Sequence, residues 1–148
     1  MTIPNKILVP IDFSTCSEQA LDYAVALAER LGGTVHLVSA IGIPALGVPE
    51  LGVGITSTMI DKLVTENQAA LDKLAATRNG STKTIGQVLM RTGDARDVIL
   101  ATAEEVKADL IVMGTHGRRG ISRALLGSVA ETVVRTSPVP VLTVRGRK

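Results

Sequence analysis

The sequence predicts an α/β fold, a three-layer sandwich in which one parallel five-stranded sheet carries helices on both faces. Short β-branched apolar runs alternate along the chain with longer stretches whose apolar residues recur at helical spacing. Most of the short runs carry apolar residues on both faces, as in strands that are covered by helices on both sides. The chain has 148 residues, of which 45% are hydrophobic and 20% charged, so we expect one domain over residues 1–148 with a single core.

The predicted elements alternate strictly between strand and helix. The predicted strands lie at residues 6–11, 34–41, 84–91, 109–113 and 140–144. The predicted helices lie at residues 15–31, 57–78, 95–107 and 128–136. Residues 42–56 hold four glycines, two prolines and one charged residue, a composition that predicts a long flexible loop. Crossovers between parallel strands are right-handed, which leaves few possible topologies. In such sheets, ligands bind beyond the carboxyl ends of the strands.

Two helix starts carry a capping signal. Thr15-x-x-Glu18 matches a capping box at the first helix, where Ser14 is the alternative N-cap. Ser128-x-x-Glu131 matches the same pattern at the last helix. This second match predicts that the last helix begins at the Gly-Ser pair that precedes it.

The most informative segment, residues 113–128, leaves the fourth strand and enters the last helix. Its four glycines let backbone N–H groups approach a ligand without obstruction by a Cβ atom: Gly114, Gly117, Gly120 and Gly127. Its three arginines can neutralise an anion: Arg118, Arg119 and Arg123. A helix N-terminus adds unpaired N–H groups and a positive dipole end. The segment therefore predicts a polyphosphate site; the alternative is a flexible glycine loop before a capped helix.

The net charge of +2 conceals an uneven distribution along the chain. Residues 1–117 carry nine Lys and Arg against thirteen Asp and Glu, whereas residues 118–148 carry seven against one. This asymmetry favours an anionic partner near the C-terminal segment, and the alternative is a solvated basic tail. Within that segment, residues 145–148 are expected to face solvent or a dimer edge.

The composition argues against several classes of function. One Phe, one Tyr and no Trp leave no aromatic platform for stacking bases, so no nucleic-acid partner is expected. The single cysteine, Cys16, excludes internal disulfides and is expected to be a packing residue rather than a reactive thiol. His36, in the middle of a strand, is likewise expected to be structural. No apolar run reaches the roughly 18 residues that span a membrane, so we expect a cytoplasmic protein without a membrane partner.

Two common nucleotide-binding patterns are absent. The P-loop needs a Gly-Lys pair, and the chain has none. A dinucleotide-binding Rossmann site needs a glycine-rich turn after the first strand, where residues 10–14 contain no glycine. No cluster of His, Cys, Asp and Glu has the spacing of a metal site formed by protein ligands alone. A metal would then be held mainly through phosphate oxygens.

The chain resembles the universal stress protein family, in its ATP-binding branch. The signature of that branch is G-2x-G-9x-G-[S/T], which Gly114, Gly117, Gly127 and Ser128 match in full. The similarity extends over the whole chain, from the opening run at residues 7–12 to the closing run at 140–144, and is weakest in the loop 42–56. It implies a sheet of order 3-2-1-4-5 that binds ATP, with Mg²⁺ or Mn²⁺ held through the phosphates, and a homodimer formed through residues 140–144.

The resemblance also implies roles for single residues. Residues expected to line the adenosine pocket are Pro10, Ile11, Asp12, Ala40, Met113 and Gly114. The resemblance places Gly117, Gly127, Ser128 and Val129 at the phosphates, and the position of His116 and Arg118 in the same loop adds these two. Asp12 would reach the ribose or the metal region, and its alternative role is to cap the following helix. His116 would contact phosphate through its imidazole or contribute only its backbone N–H.

Two functions fit the resemblance. The favoured one is a nucleotide-dependent regulatory protein of the stress response, in which ATP occupancy changes the contacts with a second copy or with a regulatory partner. The alternative is a slow ATP hydrolase or an autophosphorylating phosphotransferase that uses the same pocket. Phosphoryl transfer needs a group that positions the nucleophile. Only His116 or Asp12 is available for that task, so binding is favoured over turnover, and no catalytic residue is assigned.

Overall fold

The computed structural model of the chain describes residues 2–42, 56–79, 83–116 and 126–147. Within these residues, strands and helices follow one another in alternation: β1 (Lys6–Pro10), α1 (Thr15–Leu31), β2 (Thr34–Ile41), α2 (Ser57–Arg78), β3 (Ile85–Thr92), α3 (Ala95–Glu105), β4 (Leu110–Gly114), α4 (Ser128–Thr136) and β5 (Val141–Val144). The predicted elements are confirmed, with boundaries that differ by at most two residues. Most of the predicted loop 42–56 lies outside the described residues.

The five strands form one sheet in the order β3-β2-β1-β4-β5, and every neighbouring pair is parallel. This confirms both the parallel sheet expected from the alternating pattern and the strand order implied by the resemblance. Each strand is short and rich in Val, Ile and Leu, residues that suit a sheet buried on both faces.

Two layers of helices cover the sheet and define two cores. Helices α1 and α2 pack on one face over side chains that include Ile7, Val9 and Leu37. Helices α3 and α4 pack on the other face over side chains that include Leu8 and Ile111. Successive residues of a strand point to opposite faces, which is why neighbours such as Ile7 and Leu8 belong to different cores. The three-layer sandwich is thereby confirmed.

The central strands β1 and β4 separate towards their carboxyl ends. They pair only at Ile7 with Leu110 and at Leu8 with Ile111. At the opposite edge of the sheet, the Asp109 carboxylate accepts hydrogen bonds from the backbone N–H groups of Asn5 (3.0 and 3.1 Å) and Lys6 (3.0 Å). The two strands are therefore tied together at one edge and open at the other, where chain connections turn in opposite directions and ligands bind in this class of fold.

Both predicted capping boxes are wrong, although both helices begin where expected. At α1 the N-cap is Ser14, whose hydroxyl accepts a hydrogen bond from the N–H of Ser17 at 3.1 Å, so the alternative cap is the correct one. At α4 the N-cap is Gly127, which has no side chain to bond with. Ser128 is already the first helical residue, and a hydroxyl in that position does not cap the helix.

His36 is buried between strands β2 and β3 and has the structural role expected for it. Its Nδ1 atom accepts a hydrogen bond from the backbone N–H of Gln87 at 3.0 Å, beside an irregularity in the β2–β3 register. Burial, and to a lesser degree the nearby charge of Lys6, hold the pKa of His36 below its usual 6.5. The imidazole is therefore neutral when it accepts this bond.

We expect the free energy of unfolding to fall as the pH is lowered below about 6.5, because the unfolded chain then binds a proton that the buried imidazole resists. The stability contributed by neutral His36 is present above the pKa of the unfolded state and is lost as the pH falls through the lower folded pKa. Urea unfolding at about pH 7.5 and about pH 5 measures this change. The variant His36→Gln, whose amide oxygen keeps an acceptor for Gln87, should lose less stability between the two pH values. Equal losses in both proteins would contradict this assignment.

Candidate functional site

The described residues of the predicted site all lie at the carboxyl edge of the sheet, around the opening between β1 and β4. The end of β1 and the turn after it supply Pro10, Ile11 and Asp12, and the end of β2 supplies Ala40. The end of β4 and the residues after it supply Met113, Gly114 and His116, and the start of α4 supplies Gly127, Ser128 and Val129. The carboxyl ends of parallel strands share one edge, so these residues lie together. Gly117 and Arg118 lie outside the described residues.

The turn from β1 into α1 is tightly bonded. The backbone N–H of Ile11 donates to the Val38 carbonyl at 2.8 Å. The Asp12 carboxylate accepts the N–H of Ser14, the N-cap of α1, at 2.9 Å. Phe13, between them, has a φ of 62°, a left-handed conformation that is uncommon for an aromatic residue. Asp12 does not cap α1, so its alternative role is wrong; its carboxylate instead bonds to the N-cap residue, Ser14, at the edge of the site.

Gly114 ends β4 where the first turn of α1 crosses it. A Cβ atom at this position would lie 2.7 Å from the Sγ atom of Cys16 and 3.1 Å from the Cys16 carbonyl carbon. The Cys16 thiol is buried and donates to the Val144 carbonyl at 3.4 Å. The glycine is therefore required by close packing of strand against helix, and Cys16 packs here as expected.

Thr115 joins the neighbouring elements of the site through its backbone. Its N–H donates to the Val144 carbonyl at 3.0 Å, and its carbonyl accepts the N–H of Gly127 at 2.7 Å. Its side-chain hydroxyl lies 2.8 Å from Nδ1 of His116. The start of α4 is fixed in this way to the ends of β4 and β5. Sequence reasoning did not identify Thr115, because no motif marks a residue that acts through its backbone.

The first turn of α4 presents the donors of the candidate site. The Gly127 N–H is engaged by Thr115, and the Gly127 carbonyl accepts the N–H of Glu131 at 2.8 Å. Within the described residues, the N–H groups of Ser128, Val129 and Ala130 have no acceptor, and no side chain caps the helix. Such N–H groups together with the helix dipole favour an anion. The first turn of α4 can therefore bind a phosphate group through its backbone N–H donors.

Among the residues that the structure describes, no group of three or more His, Cys, Asp or Glu side chains is placed to hold a metal ion. No helix in the described part of the chain is long and apolar enough to cross a membrane.

Comparison with known proteins assigns the family. The family model of the universal stress protein family matches residues 4–145. The chain belongs to the universal stress protein family. Universal stress protein MJ0531 of Methanocaldococcus jannaschii is 34% identical, over 97% of this chain and 84% of that protein. Universal stress protein YxiE of Bacillus subtilis is 32% identical, over 95% of this chain and 99% of that protein.

Solved structures of universal stress proteins share the fold. The universal stress protein UspA of Lactobacillus plantarum superimposes with a TM-score of 0.82 at 24% identity, over 98% of this chain and 100% of that one. The MJ0577 protein of Methanocaldococcus jannaschii gives a TM-score of 0.81 at 28% identity, over 97% of each chain. A universal stress protein in complex with cAMP gives a TM-score of 0.67 at 25% identity, over 99% of this chain and 100% of that one.

Proposed function

We propose that this universal stress protein binds ATP at the open edge between β1 and β4, with the phosphates at the first turn of α4. The observation that carries the proposal is the set of N–H groups of Ser128, Val129 and Ala130, which have no acceptor within the described residues. They lie where the sheet opens, in a chain that matches the ATP-binding signature of the family. The cAMP complex of a related structure supports an adenine nucleotide at this fold.

The adenosine part of the nucleotide would lie between the ends of β1, β2 and β4. Pro10 and Ala40 are partly buried there, and Ile11 and Met113 are buried. These side chains offer aliphatic walls, so adenine would be held by apolar contact and backbone hydrogen bonds rather than by ring stacking. Mg²⁺ or Mn²⁺ that accompanies the nucleotide would be held by phosphate oxygens, which suit such hard cations.

The proposed regulatory output is a change in contacts between copies of the chain. Strand β5 pairs with β4 on one side only and forms an edge of the sheet. An edge strand presents unpaired backbone groups to a second chain, and we propose a homodimer through residues 140–144. Thr115 bonds both to Val144 of β5 and to Gly127 at the start of α4. It therefore connects the proposed phosphate contacts at α4 with the strand proposed to form the dimer. A regulatory protein partner would read the same change.

We propose that the protein binds ATP without hydrolysing it efficiently. Asp12 already accepts the N–H of Ser14, and Nδ1 of His116 lies 2.8 Å from the Thr115 hydroxyl. Both side chains that could serve as a base are thus engaged in local hydrogen bonds. Efficient phosphoryl transfer needs a group aimed at the attacking nucleophile.

Two measurements on the wild-type protein test the proposal. Native mass spectrometry of the purified protein should show bound adenine nucleotide, and calorimetric titration of nucleotide-free protein with ATP should show saturable binding. GTP serves as the matched control, because it carries the same phosphates on a different base. Absence of binding to the wild-type protein after addition of ATP would overturn the proposal. Steady multiple turnover of γ-labelled ATP would replace binding by hydrolysis as the function.

A further inference from the structure

The C-terminal segment 145–147 is exposed to solvent, as expected, and its backbone is fastened to α1. The backbone N–H of Arg147 donates to Oε1 of Gln19 at 2.8 Å, and Nε2 of Gln19 donates to the Arg147 carbonyl at 3.2 Å. Gly146, between the two arginines, lies beside Cys16: a Cβ atom there would be 3.6 Å from the Cys16 Cβ and Sγ atoms. We refer to residues 145–147 as the tail and to the Gln19–Arg147 pair of hydrogen bonds as the clamp.

The clamp keeps two arginines at the open edge of the sheet. Strand β5 is parallel to β4, so its carboxyl end, where the tail begins, lies beside Gly114 and Thr115. Thr115 bonds to Val144, the residue before Arg145, and also to Gly127, the N-cap of α4. Two residues, Val144 and Thr115, therefore link Arg145 to the N-cap of α4 at the proposed phosphate site.

The direction of β5 also brings Arg145 towards α4. Leu142 and Val144 pack against the core under α1 and α2, whereas Val141 packs against the core under α3 and α4. Continuing this alternation by one residue places Arg145 on the side of the sheet that carries α4. Arg147 is held two residues further on, at the second turn of α1.

The charges of both tail arginines are uncompensated within the described residues. Neither Arg145 nor Arg147 forms an ion pair there, although Arg78, Arg91, Arg96 and Arg135 each pair with a carboxylate. The acidic side chains of the neighbouring helix starts are already occupied, since Glu18 bonds to Arg78 and Glu131 to Arg135. Placing cations near two helix N-termini is electrostatically unfavourable unless an anion joins them.

We propose that the tail arginines select nucleotides that carry β- and γ-phosphates over monophosphates, with Gln19 as the positioning residue. This inference rests on the proposed function, because it assigns additional contacts to the same nucleotide. The α4 N-terminus holds one phosphate group through its N–H donors, and Arg145 and Arg147 neutralise the charge that lies beyond it. A nucleoside triphosphate would be bound by both the α4 N–H donors and the tail arginines, whereas AMP and cAMP would be bound by the α4 N–H donors only.

Calorimetric titration with ATP and with AMP tests the proposal through the ratio of the two dissociation constants. The variant Arg145→Gln/Arg147→Gln should weaken ATP about tenfold and AMP by less than about threefold, as expected for the loss of charge-assisted contacts at an exposed site. Gln19→Ala should lower the same ratio, because the arginines remain but are no longer held. Arg145→Lys/Arg147→Lys should restore most of the preference. Raising the salt concentration should reduce the preference for ATP over AMP more in the wild type than in the Arg145→Gln/Arg147→Gln variant.

Arg30→Gln is the matched control. It removes one arginine charge from the last turn of α1, at the opposite edge of the sheet, and should leave both constants unchanged. Equal weakening of ATP and AMP in the tail variant, or an unchanged ATP constant, would overturn the inference while leaving ATP binding itself intact. An effect of Arg30→Gln as large as that of the tail variant would also overturn it. Failure of the proposed function is a different result, in which the wild-type protein binds neither nucleotide.

Discussion

Ser128→Pro is expected to weaken ATP binding strongly while leaving the fold intact. Proline has no backbone N–H and no hydroxyl, so the substitution removes one of the α4 N–H donors that have no acceptor in the described part of the chain. Loss of one hydrogen bond to a charged group corresponds to about 1.5–3 kcal/mol, or about a tenfold to hundredfold rise in the Kd for ATP. Isothermal titration of the purified variant with ATP measures this rise.

The position tolerates proline for reasons visible in the backbone. Ser128 is the first residue of α4, the helical position at which proline is most readily accommodated. Gly127 before it has φ of −61° and ψ of 155°, the extended conformation that a residue preceding proline adopts. The Gly127 N–H keeps its bond to Thr115. Urea unfolding should therefore show a free energy of unfolding equal to that of the wild type or higher.

Ser128→Ala separates the backbone donor from the hydroxyl. It keeps the N–H and removes only the side-chain oxygen, so a small effect in this variant beside a large one in Ser128→Pro assigns the phosphate contact to the backbone. Similar losses in both variants would assign it to the hydroxyl. Wild-type affinity in a folded Ser128→Pro variant would show that the phosphates do not lie at the first turn of α4.

The fold could be predicted from the sequence because its signals are local. Strands appear as short runs rich in β-branched residues, with breaks such as Pro10 at the end of β1 and the two glycines before β2, and each helix shows its own apolar period. The capping residues were harder to predict, since Ser14 and Thr15 compete for one position and both fit the composition rule. The hydrogen bond from the Ser17 N–H to the Ser14 hydroxyl makes Ser14 the N-cap, and that bond depends on the local backbone conformation.

The candidate site could be predicted only where a motif marks it. The glycines and Ser128 are recognisable by spacing, and the structure brings the described ones to one edge of the sheet. Contacts between distant parts of the chain carry no such signal. Arg78 bonds to Glu18 and Asp22, which lie 60 and 56 positions away, and Gln19 bonds to Arg147 across 128 positions. The tail is exposed, as the sequence predicts, but its attachment to α1 has no local signal in the sequence.

Gly114→Ala is expected to destabilise the protein by about 2 kcal/mol, a cost typical of inserting an atom into a packed interface. The new methyl group would lie 2.7 Å from Cys16 Sγ and 3.1 Å from the Cys16 carbonyl carbon, so either the thiol or the first turn of α1 must move. Movement of α1 would also shift Ser14 and the Asp12 carboxylate bonded to it. We expect a lower urea midpoint with an unchanged m-value, and weaker ATP binding.

Cys16→Ala provides the test of this mechanism. It removes the Sγ atom that the new methyl group meets first, so the double variant Gly114→Ala/Cys16→Ala should recover part of the lost stability, with a favourable coupling of about 1 kcal/mol in a double-mutant cycle. Gly42→Ala is the matched control, because a Cβ atom there would meet no atom of the described residues within 4 Å. That variant should unfold at the wild-type urea concentration or slightly above it. Additive effects of the two substitutions, or a Gly114→Ala variant as stable as Gly42→Ala, would show that α1 does not depend on the missing Cβ of Gly114. A coupled loss would instead show that the first glycine of the signature is needed for the close contact between β4 and α1.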